Sequence, residues 1–119
     1  MKNLVKVFRA LGDQNRIRIL KMLEEREMSV GELTEVLKIS QPSASRHLIQ
    51  LREAGLLESR RDKSRMIYRL NRQRGAGYVP ALLDNLAEWA NQDSTTKQDH
   101  KLVKMILRNK PGNPSTIKP

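Results

Sequence analysis

The stretch Ile39–Leu51, ISQPSASRHLIQL, sets Pro42 between Ser40 and Ser43 and follows them with Arg46, His47 and a leucine repeat. Ser40 is a good helix N-cap, because its hydroxyl can accept from an amide that the first turn leaves unpaired. Pro42 then falls in that first turn, where the amide proton it lacks has no helical acceptor. The pattern predicts a helix from Ser40 to Ala54-Gly55, glycine being the usual residue just past a helix end. Such a helix has two distinct faces. Ala44, Leu48 and Leu51 recur at i, i+4 and i+7 and must pack inward, whereas Ser43, Arg46, His47 and Gln50 form a polar stripe on another side.

The flanking sequence gives this helix neighbours. Ser29-Val30-Gly31-Glu32 fits a capping box, so a short helix burying Leu33, Val36 and Leu37 precedes it, joined by the tight connection Lys38-Ile39-Ser40. Further upstream, Leu4, Val7, Phe8 and Leu11 predict a short amphipathic first helix that stops near Gly12. Asp13 can cap the next, in which Ile17, Ile19, Leu20, Met22 and Leu23 cover most of the circumference, as expected of a helix packed on several sides.

After Gly55 the apolar period changes to two. Leu57 and Ser59, then Met66, Tyr68 and Leu70 against Arg65, Ile67 and Arg69, predict two antiparallel strands around a basic tip, Arg60-Arg61-Asp62-Lys63-Ser64-Arg65. A break at Gly75-Ala76-Gly77 precedes a long helix striped by Val79, Leu82, Leu83, Leu86, Trp89 and Ala90. The expected domain is residues 1–92. Residues 93–119 form a polar extension, with a short helix near 98–108 carrying Leu102, Val103, Ile106 and Leu107, and a Pro/Gly-rich end, KPGNPSTIKP, expected to be disordered.

Composition agrees with one small, mostly α domain. Across 119 residues, aromatics make up 3% and the core must come from Leu, Ile, Val, Met and Ala. The net charge of +10 favours polyanionic partners, nucleic acid first among them. There is no cysteine, which removes disulfides, thiolate metal sites and thiol switches together. The N-terminus, MKNLVKVFRALGDQ, never forms the apolar run of a signal peptide, and a cytoplasmic protein without membrane contact is expected.

Helix, helix, tight turn, helix and basic hairpin is the order of a winged helix-turn-helix, whose second motif helix enters the DNA major groove. Candidate recognition residues are Gln41, Ser43, Ser45, Arg46, His47 and Gln50. Arg can pair bidentately with guanine, Gln with adenine, and Ser with base edges or phosphates. Candidate wing residues are Arg60, Arg61, Lys63, Ser64 and Arg65, which can follow the backbone or reach the minor groove. A solvated helix face and an ordinary charged loop are the plain alternatives, and His47 also suits a satisfied surface histidine. The agreement of stripe, turn, hairpin and charge favours DNA.

Phe8-Arg9-Ala10-Leu11-Gly12-Asp13, Arg16-Ile17-Arg18-Ile19-Leu20, Leu33, Gln41 to Leu48 and Leu51-Arg52-Glu53-Ala54-Gly55-Leu56, in this order and spacing, resemble the ArsR/SmtB family of bacterial winged-helix repressors. The resemblance runs from about Leu4 to Trp89. It implies a homodimer joined through the first and last helices of the domain, here Leu4, Val7, Phe8, Val79, Leu82, Leu83, Leu86 and Trp89, and two recognition helices on a palindromic operator. It also implies, in many members, release of DNA on binding a metal or metalloid. The thiol pattern used for this is replaced by Met28-Ser29-Val30-Gly31, and the long helix has Asp84 and Glu88 but no His, so no cofactor or metal ligand is assigned. The inducer stays open. A weaker set, Asp93, Asp99 and His100, lies beyond that helix.

No His-carboxylate cluster or Gly-rich phosphate loop supports an enzyme. The competing expectation is a sequence-independent nucleic-acid binder, a small chromatin or RNA-binding factor, for which Lys101, Lys104, Arg108 and Lys110 speak.

Overall fold

The structure, a computed structural model, describes residues 1–72 and 79–108. In chain order the elements are α1 (Lys2–Leu11), α2 (Gln14–Leu23), β1 (Met28–Ser29), α3 (Val30–Leu37), α4 (Gln41–Glu53), β2 (Leu57–Asp62), β3 (Arg65–Leu70), α5 (Val79–Glu88) and α6 (Ser94–Arg108). This is a mostly helical winged helix-turn-helix with a small antiparallel sheet. The all-round apolar pattern of α2 has the expected consequence: Ile19 to Leu23 are all buried, Lys21 among them. Around it the core collects Leu33 and Val36 of α3, Leu48 and Leu51 of α4, Leu83 of α5 and Val103 and Leu107 of α6. Among the described residues, no helix is long and apolar enough to cross a membrane.

The helix ends are set by local chemistry. Asp13 accepts from the amides of Asn15 and Arg16 at 2.8 and 3.2 Å. The Ser29–Glu32 capping box is closed in both directions, at 2.9 and 3.1 Å. Ser40 accepts from the Ser43 amide at 3.2 Å and starts α4. At the other end of α4, Gly55 takes φ +85°, a conformation only glycine adopts freely. It lets the Gly55 amide reach Arg52 O and the Leu56 amide reach Leu51 O, a Schellman ending that buries Leu51 and Leu56. The connection between α3 and α4 is tight because Lys38 itself turns left-handed, with φ 59°.

The sheet has three strands in the order β1-β3-β2, one more than the expected hairpin. Met28 and Ser29 pair with Tyr68 and Ile67, and the hairpin register runs from Leu57 opposite Leu70 to Asp62 opposite Arg65. The strands therefore extend further than the sequence suggested, and the turn shrinks to Lys63-Ser64. Because β3 is central, Ile67 on its outer face lies between Ser29 and Arg60 and is buried.

The C-terminal part corrects two expectations. The helix that contains Val79 stops at Glu88, before Trp89 and Ala90, Ala90 takes φ 62°, and α6 runs for 15 residues. Residues 94–108 are also no appendage to a domain ending at 92, because α6 packs on α2 and α3 and buries Val103 and Leu107 in the common core. Asp93 caps it, accepting from the amides of Thr95 and Thr96 at 2.9 and 3.3 Å. The Gly75-Ala76-Gly77 break, Lys110 and the Pro/Gly-rich end lie outside the described residues.

Candidate nucleic-acid interface

The polar face of α4 forms as its periodicity requires. Ala44, Leu48 and Leu51 are completely buried, and this fixes the rotation of the helix so that Gln41, Arg46 and Gln50 are exposed and Ser43 and Ser45 half-exposed. Ser40 Oγ donates to Ser43 Oγ at 3.0 Å, and Arg46 Nη2 donates to the same oxygen at 3.1 Å. The guanidinium is thereby drawn toward the helix N-terminus, where the partial positive charge of the helix already favours an anion. Ile49, which the polar stripe did not suggest, is 39% exposed beside Gln50 and offers an apolar contact.

His47 lies on this face, half-buried, and is engaged within the protomer. Its Nδ1 accepts from Arg16 Nε at 3.1 Å and stands 4.0 Å from Asp13 Oδ1. The same Arg16 donates through Nη1 to the carbonyls of Arg9 and Ala10 at the end of α1. One guanidinium therefore joins α1, α2 and α4. His47 is a structural member of this face. Replacing it by Gln keeps an acceptor for Arg16 and is expected to change DNA affinity by under about 1 kcal/mol, while Leu strands the donor at about 1–3 kcal/mol of stability. Anisotropy titrations and urea melts of both variants check this, and a Gln variant as weak as the Leu variant contradicts it.

The wing presents fewer free cations than its composition suggests. Arg60 pairs with Glu27, and Arg65 lies 3.8 Å from Asp62. Arg61, Lys63 and Ser64 are exposed at and beside the turn, and neither Arg61 nor Lys63 forms an ion pair among the described residues. Arg52 Nη1 donates to Ser59 Oγ at 3.0 Å, tying the end of α4 to β2 and so the wing to the recognition helix.

Of the residues expected on a dimer face, Val7, Val79, Leu83 and Leu86 are buried within the protomer, which corrects their assignment to a partner surface. Their apolar stripes are used by the chain's own core. Phe8 and Trp89, at 59% and 55% exposed, remain open with Leu4, and Leu82 is half-buried. Met1, Leu4, Val5 and Phe8 follow i, i+3, i+4 and i+7 along α1 and are all exposed.

The weak set Asp93, Asp99 and His100 does not converge. Asp93 caps α6, Asp99 is bound by Arg18 at 2.8 and 3.0 Å, and His100 Nε2 lies 3.2 Å from Lys21 O. No cluster of metal-ligating side chains occurs among the described residues. The hydrogen bond and charge of Asp99 raise the Arg18 pKa against the opposing effect of burial. Serine at position 29 serves its capping box.

A family model described as bacterial regulatory protein, arsR family, matches residues 13–59. The arsenic resistance transcriptional regulator ArsR1 of Pseudomonas putida is 41% identical over 100 residues, which cover 83% of this chain and 77% of that protein. The chain belongs to the arsR family of bacterial regulatory proteins. Another relative of this ArsR-family chain is the arsenical resistance operon repressor of Escherichia coli, 34% identical over 88% of this chain and 82% of the relative. Among solved structures, HlyU of Vibrio cholerae superposes with a TM-score of 0.61 at 34% identity, covering 71% of this chain and 88% of that one. The homodimeric winged helix-turn-helix DNA-binding domain of a possible ArsR-family regulator from Mycobacterium bovis gives 0.61 at 28% identity, over 73% and 80%. This ArsR-family chain is a DNA-binding transcriptional regulator, and the relatives named here are regulators rather than enzymes.

Proposed function

We propose that the protein is a homodimeric repressor that acts in the cytoplasm by seating two copies of α4 in successive major grooves of a palindromic operator. The exposed face Gln41–Arg46–Gln50, held over a buried Ala44–Leu48–Leu51 face, carries the proposal. Arg46 is assigned to a guanine or a phosphate near the helix N-terminus, Gln50 to an adenine, and Ile49 to a thymine methyl group. Ser43 and Ser45 serve base edges or phosphates, Arg61, Lys63 and Ser64 the adjacent backbone or minor groove. The homodimeric neighbour supports a two-copy assembly, and the open stripe Met1–Leu4–Val5–Phe8 with Trp89 supports where it closes. An inducer that works through thiolate coordination has no ligand in a chain without cysteine.

Sedimentation equilibrium tests the assembly. The chain is expected at twice its 13.7 kDa mass, and Phe8→Glu, which places a charge in the closed stripe, is expected to shift it toward the single mass without destabilising the monomer, where position 8 is exposed. A dimer unaffected by Phe8→Glu contradicts the assignment of that face. The sequence-independent alternative is separated by competition: excess unrelated duplex leaves the operator complex intact under the proposal and dissolves it under the alternative.

A further inference from the structure

The face of α6 that points away from the core carries Lys97, Lys101, Lys104 and Arg108, all exposed. They stand at i, i+4, i+7 and i+11, which at 3.6 residues per turn confines them to an arc of about 60° and a length of about 16 Å. None of the four is within ion-pair distance of a carboxylate among the described residues. The one carboxylate of α6, Asp99, is turned inward onto Arg18, and Glu25, just past the end of α2, faces His100 at 4.0 Å. An ordinary solvated helix interleaves both signs, because like charges at i+3 and i+4 repel and oppose the helix. A one-signed stripe on a helix docked by a narrow apolar edge points to an anion that relieves the repulsion.

Position decides which anion. The helix α6 packs on α2 and on α3, and α3 is the first helix of the helix-turn-helix pair, the one that crosses the DNA backbone while α4 enters the groove. We infer that α6 is a second DNA-contacting element, whose basic stripe binds the phosphates of duplex flanking the segment read by α4. A length of about 16 Å spans about five base pairs at 3.4 Å each, enough phosphates to engage four cations. The inference rests on the reading that this regulator binds duplex DNA. It adds affinity and footprint length without base information, since phosphate contacts position and do not specify.

The test uses the full chain and a variant combining Lys97→Gln, Lys101→Gln, Lys104→Gln and Arg108→Gln, titrated against a duplex trimmed to the core footprint and against the same duplex extended by random sequence. Wild type is expected to prefer the extended duplex and the variant to bind both alike. The slope of log affinity against log salt on the extended duplex should become shallower by about 0.9 for each phosphate that the variant no longer neutralises. Lys97→Arg, Lys101→Arg and Lys104→Arg together should restore wild-type behaviour, and single Gln substitutions, each too mild to unfold α6, should lower the slope stepwise. Equal affinity and slope for wild type and the Gln variants on the extended duplex overturn the inference. So does capture by anionic phospholipid vesicles through the stripe with DNA binding unchanged. If wild type shows no operator preference, the repressor reading fails, whereas the slopes on random duplex still decide the role of α6.

Discussion

Replacing Lys21 with Ala is expected to destabilise the protein by about 3–5 kcal/mol, the range for breaking a buried charged pair from one side. The ammonium of Lys21, only 1% exposed, donates to Leu86 O at 3.0 Å, Ala87 O at 3.1 Å and Asn91 Oδ1 at 2.7 Å and lies 3.1 Å from Glu24 Oε1. It satisfies the last carbonyls of α5 and fixes the turn, with its left-handed Ala90, that aims α6 back onto α2. Alanine leaves these acceptors and Glu24 uncompensated and opens a cavity in the most enclosed helix of the fold. Lys21→Met, which keeps the stem and loses the charge, should recover the cavity contribution only. Urea unfolding at one fixed protein concentration gives the values, the concentration being held because dimerisation adds to apparent stability. A loss under about 1 kcal/mol for Lys21→Ala would show that the α5–α6 turn does not depend on this ammonium.

The second large effect is on recognition. Arg46→Ala and Gln50→Ala should each remove about 1–3 kcal/mol of operator preference, the contribution of one well-formed bidentate base pairing, and more when combined. Both side chains are exposed in the free protein, so neither substitution touches the core and the melting curves should stay within about 0.5 kcal/mol of wild type. Binding to random duplex should fall far less for Gln50→Ala than for Arg46→Ala, since only arginine brings a charge to the phosphates. Arg61→Ala and Lys63→Ala serve as the contrast, expected to weaken operator and random duplex alike. Operator and random affinities falling in parallel for both α4 variants would reduce this face to a backbone contact.

Much of the fold was legible because it is written in local chemistry. Asp13, the Ser29–Glu32 pair, Ser40, Pro42 and Gly55 each declare a helix boundary through their own hydrogen-bonding or backbone preferences, and each boundary falls where those preferences place it. The two faces of α4 follow from spacing alone. Other features depend on partners far along the chain. The strand β1 has two residues, too few to show alternation, and exists only because Met28 and Ser29 meet Tyr68 and Ile67. The integration of α6 depends on Arg18 and Asp99, 81 positions apart, and its polar start, NQDSTTKQD, looks like a tail until Asp93 is seen capping it. His47 has the periodicity of a DNA contact, and Arg16, 31 positions earlier, claims it. Apolar stripes on α1 and α5 suggested a partner, yet periodicity cannot tell a residue facing its own core, such as Val7 or Leu83, from one left open, such as Phe8.

Whether α4 selects a defined sequence in two symmetric copies is decided by footprinting the purified full chain on the DNA upstream of its own gene. A bounded protected region with two-fold symmetry is expected, its half-site centres about 34–36 Å or a multiple apart, surviving excess random duplex. Protection spread evenly along the fragment and erased by random duplex at the same concentration as the upstream DNA itself would contradict such selection.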